Sequence, residues 1–221
     1  PSSAISLMTD IYASTTPENI DRGIKVVSNF VYTLMKDPKA YNFLLSLSSH
    51  DHYTLQHSVG VATNSIILAK RLGINDEVSL IEVGVGGLMH DIGKTKVPKE
   101  IINKPGPLND EEWKIMRQHA MFGYEIIKDN PNVGTRAKLA ILQHHEEPAG
   151  TGYPMGLSND QIDLYARIVC LADVYNALTT TRSYSKARTP FDAFQLIKEK
   201  LMHKIDHKLF EKFVLIYGSK I

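Results

Sequence analysis

Five stretches of helical period each carry ionisable side chains on an otherwise apolar face, and any fold of this chain must bring those faces together. The residues are His57, His90 with Asp91, His119, His144 with His145, and Asp173. Leu55, Val59, Ala62, Ile66 and Ala69 line one side of a segment from 53 to 72. His57 shares a second apolar side with Val61, Leu68 and Leu72. Ile115, Phe122 and Ile126 flank His119 at helical spacing, and Ala166, Val169 and Ala177 flank Asp173. Burying such groups singly costs several kcal/mol, on the order of a whole lost interaction, unless each finds a partner. A shared metal site satisfies all of them. Imidazoles with carboxylates suit iron, manganese, zinc or nickel, and the absence of thiolates argues against a structural zinc knot.

The rest of the chain reads as all-α, with no sheet beyond a short hairpin in a loop. Thr16-Pro17-Glu18 starts a helix running to about Lys36, and another follows Pro38 to about Ser48. Gly73 stops the helix that begins near Tyr53. Asn75-Asp76-Glu77 starts the next, to about Ile92, where Gly93 ends it. That helix has no charge between Glu82 and His90, and Gly84, Gly86 and Gly87 mark it as closely packed and central. The stretch from Lys94 to Leu108 holds three prolines and at most a short helix. Asn109 and Glu112 form a capping box for a helix to about Asp129. Further helices cover about 133–146 and 164–180, and two more start near Thr189 and His207. Pro148 to Pro154 is a glycine-rich loop.

Composition narrows the function classes. A net charge of +1 is too balanced for a binder of nucleic-acid polymers, though it leaves room for a small anion. Cys170 is alone, so no internal disulfide forms, as expected in the cytoplasm. No apolar run approaches the roughly 20 residues that cross a bilayer. The chain begins at Pro1, as expected of a piece of a longer protein with an upstream domain.

Each motif alone is weak. A His-Asp pair arises readily by chance, and His50-Asp51, in a polar run, reads as capping or solvated. Adjacent His144 and His145 point about 100° apart on a helix. The order and spacing of the whole set carry the signal. His90-Asp91-Ile92-Gly93-Lys94, His144-His145-Glu146, Gly150-Thr151-Gly152-Tyr153-Pro154, Leu171-Ala172-Asp173-Val174-Tyr175 and Arg182-Ser183-Tyr184 together resemble the HD-GYP branch of the HD phosphohydrolases. The resemblance covers roughly Tyr53 to Ala193.

That resemblance implies an HD-domain helical bundle of about seven or more helices around a dinuclear metal site. It assigns residues 51–221 to the HD-GYP domain and 1–50 to N-terminal helices and a linker. It implies a metal-dependent phosphodiesterase of bacterial signalling that opens a cyclic dinucleotide, cyclic di-GMP foremost, to a linear dinucleotide or GMP. The first metal, iron foremost, would be held by His57, His90, Asp91 and Asp173, and the second by His119, His144, His145 and the other oxygen of Asp91. Two metals about 3.5–4 Å apart acidify a bridging water and neutralise phosphoryl charge. Lys94 would contact the phosphate or assist protonation beside catalytic Asp91. Arg182 and Lys186 would bind phosphate, and Tyr153 would touch the ligand. Signalling partner proteins and a homodimer are further expectations. Three positions depart from the family pattern. Ala149 replaces an Asp or Asn. Asn176 replaces an Asp placed to read a guanine edge, which makes it a substrate-contact candidate that bears on base preference. Tyr53 stands where some members carry a third-metal Glu, which argues for two metals. A silent receptor that signals by contact is the rival reading. An HD enzyme acting on another nucleotide is disfavoured by the G-x-G-Y-P segment.

Overall fold

The computed structural model describes residues 2–37, 53–181 and 187–218. The helix expected after Pro38, the His50-Asp51 pair, Arg182 and Lys186 lie outside these residues, as does the side chain of Tyr53. Among the described residues the chain is helical, with one isolated bridge between Ala149 and Ser158. Helix α1 spans Ser2–Ala13, α2 Pro17–Lys36, α3 Tyr53–Arg71 and α4 Glu77–Met89. A 3-10 turn covers Ile92–Lys96, followed by α5 (Lys99–Ile102), α6 (Asp110–Arg117), α7 (His119–Ile127), α8 (Thr135–Gln143) and α9 (Leu164–Thr179). After α10 (Pro190–Leu196) come a π turn at Ile197–Leu201 and α11 (His207–Gly218).

Local chemistry explains most boundaries. Thr16 accepts a hydrogen bond from the Asn19 N–H, with Pro17 in the first turn of α2. Asp76 caps α4 through the Ser79 N–H at 2.8 Å. Asn109 and Glu112 complete both halves of the capping box on α6. Gly73 adopts φ +91° after α3, a conformation that costs glycine least.

Packing follows the apolar pattern. Every side chain of α3 from Gln56 to Ala69 is buried, as a helix apolar on two sides requires. Helix α4 lies at the centre, against α2, α3, α8 and α9. Its glycines permit that approach: a Cβ on Gly86 would come within 2.7 Å of Ala140 Cβ, and one on Gly87 within 2.9 Å of the Ala62 backbone. Helix α1 was not foreseen, yet Leu7, Met8 and Ile11 join the same core as α2. At the other end Tyr175, Phe194 and Phe213 form an aromatic cluster. Beside it, the Tyr217 hydroxyl donates to Asn64 Oδ1 at 2.5 Å, fastening α11 to α3.

Three boundaries differ from the sequence expectation. Helix α4 ends at Met89, not near Ile92, because Asp91 leaves the helical region at φ −98°, ψ 6°. Gly93 therefore does not stop the helix. It admits the backbone of α7, since a Cβ there would lie 1.9 Å from the His119 carbonyl oxygen. The helix expected from 109 to 129 divides at Gln118, whose N–H turns to the Ile115 carbonyl three residues back. Its buried stripe is His119, Ala120, Gly123 and Ile127 rather than Ile115, His119, Phe122 and Ile126. The small residues face inward because α7 packs on the tight 92–96 turn. Helix α8 stops at Gln143, which leaves His144 and His145 beyond its last turn.

Candidate metal centre

The ends of three helices build the centre. The last carbonyls of any helix lack partners within it. His90 and His144 are the C-cap residues of α4 and α8, and His119 follows the end of α6. Each turns its imidazole Nδ1 back to the carbonyl three residues earlier: His90 to Gly87 at 2.8 Å, His119 to Met116 at 2.7 Å, His144 to Ile141 at 2.8 Å. A carbonyl only accepts, so Nδ1 carries the proton in each ring and Nε2 presents a lone pair inward. The sequence reading put these histidines on helical faces. The structure puts them at helix ends, where one hydrogen bond both caps the helix and fixes the tautomer.

His57 reaches the same state by a different partner. Its Nδ1 donates to Asn176 Oδ1 at 2.9 Å, and the Thr180 hydroxyl donates to the same oxygen at 3.3 Å. Its Nε2 faces Asp173 Oδ1 at 3.0 Å. Asp173 Oδ1 is also 3.8 Å from His90 Nε2. Asp91 stands between the two groups: Oδ2 lies 3.3 Å from His90 Nε2 and Oδ1 lies 3.4 Å from His119 Nε2. Two clusters result, one of His57, His90 and Asp173, the other of Asp91, His119, His144 and His145.

The donor set fits divalent metal ions. His119 Nε2 and His144 Nε2 meet at 3.3 Å, although both rings carry their proton on the opposite nitrogen. Two lone pairs at that distance repel unless a cation lies between them. His90 Nε2 and Asp91 Oδ1 are buried with no hydrogen-bond partner, an expense that a metal would relieve. Burial, together with neighbouring imidazoles, holds His144 well below its ordinary value. Burial, with His119 beside it, lowers His145 to about 3. Burial also lowers His119. Neutral imidazoles are the form that binds metal. His90 is raised: burial opposes its protonation, but the Asp91 carboxylate outweighs it. Burial pushes the carboxyls of Asp91 and Asp173 up. Lys94 and His90 pull Asp91 well below its usual range, and His57 pulls Asp173 below its own, so both are carboxylates.

The surrounding residues divide between support and access. Lys94 Nζ lies 2.6 Å from Asp91 Oδ2, because the 92–96 turn folds it back over the carboxylate. Tyr153 stacks on His145 with ring centroids 4.7 Å apart, at the edge of the cluster. Asn176 is buried with its amide oxygen committed to His57, so its neighbour is the imidazole rather than an open ligand edge. Its partner could not be read from sequence, since residues 57 and 176 meet only through the α3–α9 packing. Glu146 closes the His144-His145-Glu146 motif. It is buried and accepts the Met155 and Leu157 N–H groups at 2.7 and 2.8 Å, which holds the loop that carries Tyr153. In that loop Gly150 takes φ +75°. Gly152 is needed for space instead of angle: a Cβ would sit 2.4 Å from the His145 carbonyl oxygen. Ala149 is in the bridge to Ser158.

A protein-family model described as an HD domain matches residues 45–209. The chain belongs to the HD domain family. Two curated relatives agree with the HD-GYP motifs. A cyclic di-GMP phosphodiesterase of Pseudomonas aeruginosa is 38% identical over 193 residues, covering 87% of this chain and 46% of the relative. A 3′3′-cGAMP-specific phosphodiesterase of Vibrio cholerae is 38% identical over 159 residues, covering 72% of this chain and 34% of the relative. The chain thus spans less than half the length of either. Among solved structures, an HDG"Y"P protein from Bdellovibrio bacteriovorus superposes with a TM-score of 0.81 at 22% identity, covering 98% of this chain and 69% of that one. This likeness fixes the HD-domain fold. No described helix is long and apolar enough to cross a membrane.

Proposed function

We propose that this HD domain is a metal-dependent phosphodiesterase that hydrolyses a cyclic dinucleotide, cyclic di-GMP foremost, to a linear dinucleotide or GMP. The observation that carries the reading is the position of Asp91, with one oxygen toward each cluster of histidines. The relatives named for cyclic di-GMP and cGAMP hydrolysis support the substrate class. We assign His57, His90, Asp91 and Asp173 to one metal, and His119, His144, His145 and Asp91 to the other.

Two divalent ions, once bound, would acidify a water and neutralise phosphoryl oxygens. The chain's own residues do the rest. Backbone carbonyls and Asn176 hold four imidazoles with their lone pairs inward, ready for a metal. Asp91 sets the spacing of the two clusters. Lys94 keeps Asp91 ionised and, partly exposed, is placed to donate a proton or to meet the phosphate. Tyr153 limits the approach over His145, and Arg182 and Lys186 supply cations for phosphate.

We further propose iron for both positions, with manganese next, from an imidazole and carboxylate set without thiolate. We propose a cytoplasmic setting, which a lone cysteine without a disulfide partner supports. Residues 1–50 are proposed to lead from an upstream domain, with signalling partners or a homodimer relaying its state. The test is metal analysis together with hydrolysis of cyclic di-GMP and 3′3′-cGAMP. About two metals per chain and turnover of either substrate are expected. Full metal content with no turnover of any cyclic dinucleotide would establish the receptor reading instead.

A further inference from the structure

A cyclic dinucleotide carries two phosphodiesters, and only one can lie on the metals at a time. The structure offers a place for the second. Next to Tyr153 a groove of about 540 Å³ opens on the surface of α6 and α7. That volume lies within the range of small-ligand sites. Lys114 and Arg117 line it on one side, with Met121, Phe122 and Tyr153 completing the walls.

The two cations are not equivalent. Lys114 is largely exposed and paired with Glu111 at 2.7 Å. Arg117 makes no ion pair with a carboxylate among the described residues. Its guanidinium lies over the Tyr153 ring, 5.4 Å from the centroid. A guanidinium laid on an aromatic face keeps its N–H edge free, and that edge matches the two oxygens of a phosphate. Tyr153 therefore touches both metal-facing His145 and an arginine that has no carboxylate partner among the described residues. Chain connectivity ties these parts together. Arg117 is the last residue of α6, two positions before His119, whose Nδ1 is anchored on the neighbouring Met116 carbonyl. The backbone of the arginine is thus held in fixed register with the metal cluster.

We propose that this groove is the subsite for the second, non-reacting phosphate of the dinucleotide, with Arg117 as its cation and Met121 and Phe122 as the apolar wall for the attached base. The inference rests on the cyclic dinucleotide reading of the metal centre. It makes Arg117 a specificity determinant that separates substrates with two phosphates from simple phosphodiesters.

The experiment compares kcat/KM for cyclic di-GMP with that for bis(p-nitrophenyl) phosphate, which has one phosphodiester. The metal-loaded parent, Arg117→Ala and Arg117→Lys are measured side by side. In Arg117→Ala the ratio of the two values should fall about tenfold or more, carried by KM for cyclic di-GMP, with metal content unchanged. Arg117→Lys should recover part of the loss. Raising salt should increase KM for cyclic di-GMP in the parent and much less in Arg117→Ala, because an exposed contact is screened. An unchanged ratio, or equal losses on both substrates, overturns the subsite while the metal-centre reading stands. A parent that cleaves bis(p-nitrophenyl) phosphate but no cyclic dinucleotide overturns both.

Discussion

The two halves of the metal centre are built from different chemistry. The cluster of His57, His90 and Asp173 has a carboxylate of its own, and Asp173 lies within 3.0 Å of His57 and 3.8 Å of His90. The cluster of His119, His144 and His145 has only the Oδ1 side of Asp91, which is buried and without a hydrogen-bond partner. The carboxylate-rich half can hold a proton on His90, which the neighbouring carboxylates favour. The histidine-rich half cannot: its three rings crowd within centroid distances of 4.0 to 5.4 Å, and all three resist protonation. A metal is one option among two for the first half and the main source of relief for the second.

The sharpest way to break this comparison is to remove what the halves share. Asp91→Asn keeps the shape but leaves one acceptor oxygen and no charge. Metal content should drop in both halves, and hydrolysis of cyclic di-GMP should fall about a thousandfold or more. Two retained metals with normal turnover would contradict the bridging position. Asp173→Asn strikes one half alone. Elemental analysis should then give about one metal per chain instead of about two. Loss of both metals would mean that the halves are not separable.

The pH response of the metal-free protein sharpens the contrast. His119, His144 and His145 have folded values below their unfolded value near 6.5. The unfolded chain therefore binds more protons as pH falls through 6.5, and stability present above that point is lost below it. His90, which is raised, acts in the opposite sense but only above about 6.5, so it leaves their loss at lower pH unopposed. Urea unfolding of chelated protein from pH 7 to pH 5 should show a loss of about 1.4 kcal/mol per pH unit for each uncompensated group. A flat or rising profile would show that the histidine-rich half is not held neutral. The smallest effect is expected at Asn176. Asn176→Ala should weaken metal binding about tenfold to a hundredfold in the half that contains His57, and Asn176→Asp should strengthen it by making His57 more basic. Competition with a chelator of known affinity measures both, and equal changes in the two halves would deny Asn176 a local role.

The sequence by itself determined most of the helices and the identities of the residues that meet. Thr16, Asp76 and the Asn109–Glu112 box act through neighbours three residues away, so their effect is local and legible. The apolar stripes of 53–72 and 164–180 dictated burial of α3 and α9, because helical period alone decides which residues share a face. The seven histidines and aspartates were legible as a set, since five apolar faces with ionisable residues need a common partner. Only the tertiary structure decided how those groups are presented. The end of α4 at Met89, the break at Gln118 and the inward turn of Gly123 depend on the backbones of α7 and the 92–96 turn meeting at Gly93. The bond from His57 to Asn176 joins residues 119 positions apart. Likewise Glu146 supports the Tyr153 loop and Tyr153 links His145 to Arg117 only after α6, α7 and α8 have packed. Local pattern fixes which side chains leave a helix on which side. Hydrogen-bond partners, lone-pair directions and open grooves depend on distances between segments, and those are set when the core closes.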